Sequence, residues 1–151
     1  EDSIVARRYV DLIAFTLMPN HFHLIVQEKN GEGITKYMQK NLNAYTKYFN
    51  TKYEKSGHLF QGPYKVVRVV DNEQLLYLSA YIYKNPAALK TWRGREVRYP
   101  WSSYQDYVSK NRWGDLLKPD VVLGQFDKVE HFKESIETSG AKELDQSIIL
   151  E

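Results

Sequence analysis

Two of the chain's four histidines, His21 and His23, stand one residue apart in the run MPNHFHLIV, residues 18 to 26. The run otherwise has the composition of a buried strand. In a strand, residues i and i+2 point to the same face, so the two imidazoles project side by side while Phe22, Leu24 and Val26 face the other way. Imidazoles separated by about 7 Å along a strand can converge on a single ion. Two unconnected histidines on a half-wet face are the commoner origin of a His-x-His pair. Here the opposite face is wholly apolar and accounts for burial, which frees the histidine face for chemistry. Cysteine is absent, so a closed four-ligand zinc site fits poorly. An open site for Mg²⁺ or Mn²⁺, completed by an amide or carboxylate and a substrate phosphate, fits better.

The second chemically suggestive stretch is LSAYIYKNP, residues 78 to 86. Placed on a helix over 72–84 at about 100° per residue, Leu75, Leu78, Ser79 and Ile82 form the buried stripe. Tyr81 and Asn85 share its shoulder one turn apart. On position alone, a tyrosine at the rim of an apolar stripe is a packing residue with a wet hydroxyl. Tyr83 lies about 200° round the helix from Tyr81, and Tyr77 falls on the outer side.

These side chains need elements to hold them. VDLIAFTL, residues 10 to 17, is apolar and β-rich, and Pro19-Asn20 supplies a turn before HFHLIVQ, which predicts an antiparallel hairpin. Gly31 and Gly33 end it. Ile34, Met38, Leu42, Tyr45 and Phe49 then mark one stripe of a helix of about five turns, with Lys36, Lys40 and Lys47 off the stripe. EKSGHLFQGP, residues 54 to 63, reads as a loop, and YKVVRVV after it as a strand. Asp71 or Asn72 caps the second helix, with Glu73 in its first turn, and Pro86 stops it. Beyond lie a basic loop around Arg93 to Arg98, the turn-like YPWSSY in which Trp101 is expected to anchor the C-terminal segment in the core rather than to serve as a stacking platform, and a final helix from about Asp127 to Glu137.

A length of 151 residues suits one domain. No apolar run approaches the ~20 residues that span a bilayer, no disulfide framework is possible, and a cytoplasmic location is expected. Net charge is only +2, but from Lys36 to Arg68 seven basic residues face one acid, and from Asp127 onward seven acids face three lysines. A cationic segment set apart from an acidic tail suits a polyanion such as nucleic acid, although a solvated helix face produces the same pattern.

LMPNHFHLIV, YTKYFNTKYEKSGHLFQGPYK, LSAYIYKNP and YPWSSY, in that order, together resemble the single-tyrosine HUH transposases, and more closely their REP-associated branch. The resemblance covers about residues 9 to 108, leaving 109–151 as a C-terminal extension of a single domain. It implies an α+β, ferredoxin-like (RRM-like) antiparallel sheet with helices on one face. It also implies an activity: metal-dependent cleavage and strand transfer of single-stranded DNA at hairpins. Tyr81 would be the nucleophile forming a 5′-phosphotyrosine, and His21, His23 and Asn85 the ligands of Mg²⁺ or Mn²⁺. The basic helix would track the phosphate backbone through Lys36, Lys40 and Lys47. His58, Phe60 and Gln61 are candidates for base contacts, and Lys65 and Arg68 extend the basic surface. The partner implied is single-stranded DNA with hairpin structure, with no membrane, and the protein is expected to act as a monomer or homodimer. A hairpin-binding module without cleavage, for DNA or RNA, and a metallohydrolase that uses water at the histidine pair are the competing functions.

Two departures from the family pattern stand out. The family places a strand and most of a helix before the segment equivalent to VDLIAF. Here the chain starts at Glu1, so the first strand is expected to lie upstream of the given sequence, or to be supplied by another chain, or to be lost. The loop also carries Pro63 where relatives commonly have an arginine, which removes a phosphate contact.

Overall fold

The structure, a computed structural model, describes residues 8–141. They form α+β architecture in two compact units, one of residues 8–10 and 28–67, the other of residues 11–27 and 68–141.

The hairpin forms as expected. β1 (Val10–Leu17) and β2 (Phe22–Glu28) make a two-stranded antiparallel sheet. The Met18 N–H donates to the His21 carbonyl at 2.8 Å, closing a turn with Pro19 and Asn20 at its centre. His21 therefore belongs to the turn, and β2 starts one residue later. The expected division of faces needs correction. Ile25, 8% exposed, is the buried residue of β2, and alternation puts it on the His23 face. Phe22, Leu24 and Val26 are only half-buried. The histidine face is thus the core face, and His23 sits at its rim.

The outer edge of β1 is covered rather than open. Thr16 pairs antiparallel with Ser102, and Leu12 pairs in parallel with Leu117. Ser103 donates its N–H to the Phe15 carbonyl at 2.9 Å and its Oγ accepts from the Phe15 N–H at 2.9 Å, while the Tyr107 hydroxyl donates to the Ile13 carbonyl at 2.7 Å. The C-terminal segment therefore completes the core.

α2 (Asn72–Lys84) packs its Leu75, Ala80, Ile82 and Tyr83 into that core. Its start is doubly capped: the Asp71 carboxylate accepts from the Gln74 N–H at 2.7 Å, and the Gln74 side chain accepts from the Val70 N–H at 2.7 Å. This reciprocal arrangement satisfies two backbone donors. Asp71→Ala is expected to cost about 1 kcal/mol, read as a Tm lowered by about 3 °C in a thermal melt. The helix tightens into a 3-10 turn, Asn85–Ala88, at Pro86. Tyr83 is fully buried, stacked on Tyr104 with ring centres 5.0 Å apart and 10° between planes. Around them pack α3 (Tyr104–Val108), the short α4 (Asp120–Leu123) and α5 (Val129–Thr138), whose Phe132 and Ile136 are buried.

In the other unit, α1 (Gly33–Lys52) matches the expected helix. A Cβ at Gly33 would meet the Tyr9 carbonyl oxygen at 2.5 Å, so only glycine fits where the helix begins. Of the anticipated stripe, Met38 is buried but Tyr45 is 52% exposed.

Two further expectations fail. Residues 64–70 form no strand, and Val66, Val67 and Val70 are exposed. β-branched residues supply propensity, but a strand exists only where a ladder partner completes its hydrogen bonds. Trp101 is not a core anchor: its ring is 60% exposed. The residues that hold its segment are its neighbours Ser102 and Ser103, both fully buried. Residues 142–151 of the acidic tail lie outside the described residues.

Candidate functional site

Four side chains singled out in the sequence meet in the larger unit. The hairpin turn presents His21, the first residues of β2 present His23, and the last turn of α2 and the 3-10 turn after it present Tyr81 and Asn85. The His21 and His23 rings lie edge to face with centroids 5.0 Å apart, and the His23 and Tyr81 rings likewise at 5.5 Å. His23 is the middle of the group.

Each side chain is held by a nameable contact. His21 is exposed, and its Nδ1 lies 2.7 Å from the Asn20 Oδ1. Because that oxygen only accepts, the imidazole donates from Nδ1, which leaves Nε2 as the ring's lone-pair nitrogen. Asn20 was legible in the sequence only as a turn residue; its position directly before a histidine was the signal for this second role. Asn85 is buried, and its Nδ2 donates to the Tyr81 carbonyl one turn back at 3.0 Å. That tie fixes the amide beside both the imidazole and the phenol, where it acts on the ionisation of each.

The electrostatics follow from burial. Desolvation pushes the His23 pKa down to about 4, with the neighbouring His21 adding to the effect and Asn85 opposing it. The ring is therefore neutral at pH 7. Its Nε2 is buried with no hydrogen-bond partner among the described residues, a state that costs about 1–3 kcal/mol when nothing compensates it. A neutral imidazole with an unsatisfied nitrogen is the form a divalent cation binds, so the donor set fits a metal. No group of three His, Cys, Asp or Glu side chains suited to a metal occurs among the described residues, so a third protein ligand here would be of another type, such as the Asn85 amide that the resemblance implies. Burial raises the Tyr81 phenol above its ordinary value; Asn85 pulls it down and Tyr77 pushes it further up.

The competing tyrosines are placed elsewhere. Tyr83 is wholly buried and its hydroxyl is bonded to the Ser103 Oγ at 2.8 Å. Tyr77, expected on the outer side, is half-buried and donates to the Ala141 carbonyl at 3.2 Å.

Residues 2–85 match the family model described as "Transposase IS200 like". That match covers more than half of the chain. The chain belongs to the IS200-like transposase family. The family is one of DNA transposases, and DNA cleavage is its general chemistry. The matched segment contains both histidines and Tyr81 and ends on Asn85. No curated protein and no solved structure matches the chain.

The residues expected to touch DNA in this transposase are not gathered in the same way. Lys36, Lys40, Lys47, His58, Phe60, Gln61 and Lys65 belong to the smaller unit, and Arg68 begins the second segment of the larger one. Lys47, His58, Gln61, Lys65 and Arg68 are exposed. Lys36 pairs with Glu32 at 3.6 Å, and Lys40 donates to the Tyr9 hydroxyl at 2.9 Å and covers its ring, so these two ammonium groups have intramolecular partners. Phe60 is half-buried, with Tyr45 at 6.2 Å.

Proposed function

We propose that this IS200-like transposase is of the single-tyrosine HUH type, of the REP-associated branch, and that it cuts and rejoins single-stranded DNA at hairpins through Tyr81. The observation that carries this reading is the run of contacts from His21 to His23 to Tyr81, with the His23 Nε2 buried and unsatisfied at its centre. The phenolic oxygen forms a bond to the scissile phosphorus as the bond to the 3′ oxygen breaks, and the phenol's proton passes through solvent to the departing oxygen. The products are a 5′-phosphotyrosine and a free 3′-hydroxyl. Attack by another 3′-hydroxyl reverses the step and frees the tyrosine, so rejoining needs no ATP.

His21, His23 and the Asn85 amide are the residues that would hold Mg²⁺ or Mn²⁺. Bound there, the cation would stabilise charge developing on the phosphate, which matters because a phenol of pKa near ~10 is a weak nucleophile at neutral pH. Asn20 orients the His21 ring, and the Asn85 bond to the Tyr81 carbonyl holds the amide in register with the phenol. His23→Ala is expected to weaken Mn²⁺ binding by at least about 100-fold, and Asn20→Ala by about 10-fold, both by isothermal titration.

The ferredoxin-like fold belongs to the same proposal, with the observed hairpin as part of a larger sheet, as do a single transposase domain, a cytoplasmic site of action, and action as a monomer or homodimer. No described helix is long and apolar enough to cross a membrane. Incubation with a labelled hairpin oligonucleotide and Mn²⁺ tests the function. A denaturant-resistant adduct that disappears in Tyr81→Phe supports it; an uncut complex favours a binding module, and cleavage that survives Tyr81→Phe favours hydrolysis by water.

A further inference from the structure

Trp101 is the most exposed aromatic ring among the described residues, at 60%, yet the backbone that carries it is rigidly held. The Trp101 carbonyl accepts from the Leu17 N–H at 2.8 Å, and the carbonyls on either side, of Pro100 and Ser102, each accept from the Arg112 guanidinium at 3.0 Å. Arg112 is itself fixed by the buried Asp106 carboxylate. Three successive carbonyls are thus pinned beneath a ring that packs into nothing that would bury it. A large apolar side chain displayed in this way gains no stability from its exposure.

Its surroundings indicate what it meets. Thr16 and Ser102 face each other with hydroxyls 3.1 Å apart, both fully buried. The next pair along, Leu17 and Trp101, falls on the opposite face of the ladder, and both are exposed. The Leu17 carbonyl accepts from the Tyr99 hydroxyl at 2.8 Å, and the next residue, Met18, bonds to His21 across the turn. Trp101 is therefore tied to the hairpin end that bears the histidines. Between Asn85 and Trp101 the chain carries Lys90, Arg93, Arg95 and Arg98 against the single acid Glu96, and all four cations are exposed. The Arg98 guanidinium has no hydrogen-bond or ion-pair partner among the described residues, its backbone N–H alone being bonded, to the Arg95 carbonyl at 2.9 Å. Arg95 lies over the Trp92 ring at 6.0 Å.

We propose that Trp101, with Arg98 and the neighbouring cations, is a stacking platform for an unpaired base in the single-stranded flank of the hairpin that the site cuts. The proposal rests on the reading above that the substrate is single-stranded DNA. Flat rings beside phosphate-binding cations are the combination that holds single strands, because every base presents a π-face and every nucleotide a charge. A double-stranded stem has no free face to offer the ring, so the platform distinguishes flank from stem.

The test measures binding by fluorescence anisotropy in EDTA, on the full chain carrying Tyr81→Phe so that no covalent trapping contributes. The probes are a hairpin with a single-stranded flank and the same hairpin blunt-ended. Trp101→Ala should weaken the flanked probe by about 5- to 100-fold, leave the blunt probe unchanged, and leave the melting temperature in place; Trp101→Phe should retain most of the affinity. Arg98→Ala should weaken flank binding and reduce its salt dependence. Equal affinity of Trp101→Ala and its parent for the flanked probe overturns the proposal, as does the absence of flank-dependent binding. A concentration-dependent dimer abolished by Trp101→Ala, with DNA affinity intact, would instead assign the face to a second copy and also overturn it. The adduct assay on the chain with Tyr81 intact keeps the two proposals separate. Adduct formation with Trp101-independent binding sinks the platform alone, and Trp101-dependent binding without an adduct sinks the cleavage reading alone.

Discussion

Tyr81→Phe is expected to abolish the covalent protein-DNA species and to lower strand transfer by at least about 10³-fold, while the protein keeps its melting temperature within a degree or so. The substitution removes one oxygen and leaves the ring that packs edge to face on His23. Tyr83→Phe provides the contrast. That hydroxyl is buried and shares the Ser103 Oγ, the oxygen that also accepts the Phe15 N–H. Its loss should cost about 1 kcal/mol of stability without reducing adduct formation per folded molecule. Two tyrosines two residues apart on one helix thus have opposite fates, one tested by chemistry and the other by a melt.

The largest effect on stability is expected at Asp106. Its carboxylate is 3% exposed and accepts four hydrogen bonds: from the Arg112 backbone N–H at 2.9 Å, from the guanidinium at 2.8 Å on each oxygen, and from the Trp113 indole at 3.1 Å. Asp106→Ala leaves those donors unpaired and releases the clamp on the Pro100 and Ser102 carbonyls. Because Arg112 is itself over a third exposed, water recovers part of the loss, and about 3 kcal/mol is expected. For a chain of this size that corresponds to a Tm lowered by about 10 °C.

The same carboxylate sets an acid limb. Burial alone would raise its pKa, but the hydrogen bonds and charge of Arg112, with the Trp113 indole, outweigh burial and hold it below the usual value. A group whose folded pKa lies below its unfolded value contributes stability that is complete above the unfolded pKa of about 3.9. That contribution is lost as pH falls through the folded value. Tm should therefore decline on acidification below about pH 4, and Asp106→Asn, lower in Tm at neutral pH, should show a shallower decline over that range.

The parts of the molecule legible from sequence were those with local signals. The hairpin followed from a β-rich run, a Pro-Asn turn and a second apolar run, and α2 followed from its stripe and its cap. The strand period placed His23 and the helix period placed Tyr81 and Asn85 on one face, whereas His21 lies one residue outside β2 and the choice of Tyr81 and Asn85 as site residues came from the resemblance of their motif. Non-local relations were not legible. YKVVRVV has the residues of a strand, but pairing depends on a partner that its own sequence does not encode. The burial of Ile25 on the histidine face comes with its place in a core cluster shared with α2 and the C-terminal segment. The role of Ser102 and Ser103 against β1 joins residues more than eighty positions apart, and small polar side chains carry no pattern that foretells it. Trp101 was misjudged for the same reason: large and aromatic described the residue, while the serines beside it decided which way the segment faces.

The most direct test is to locate the linkage. The chain should be reacted with a hairpin oligonucleotide and Mn²⁺, digested with nuclease and protease, and the modified peptide sequenced by mass spectrometry. The expected result is a single nucleotide 5′-phosphate on Tyr81, absent when His23 is replaced by alanine. Phosphate on Tyr77, or cleaved DNA with no modified tyrosine at all, would contradict the assignment of Tyr81 as the nucleophile opposite the histidine pair.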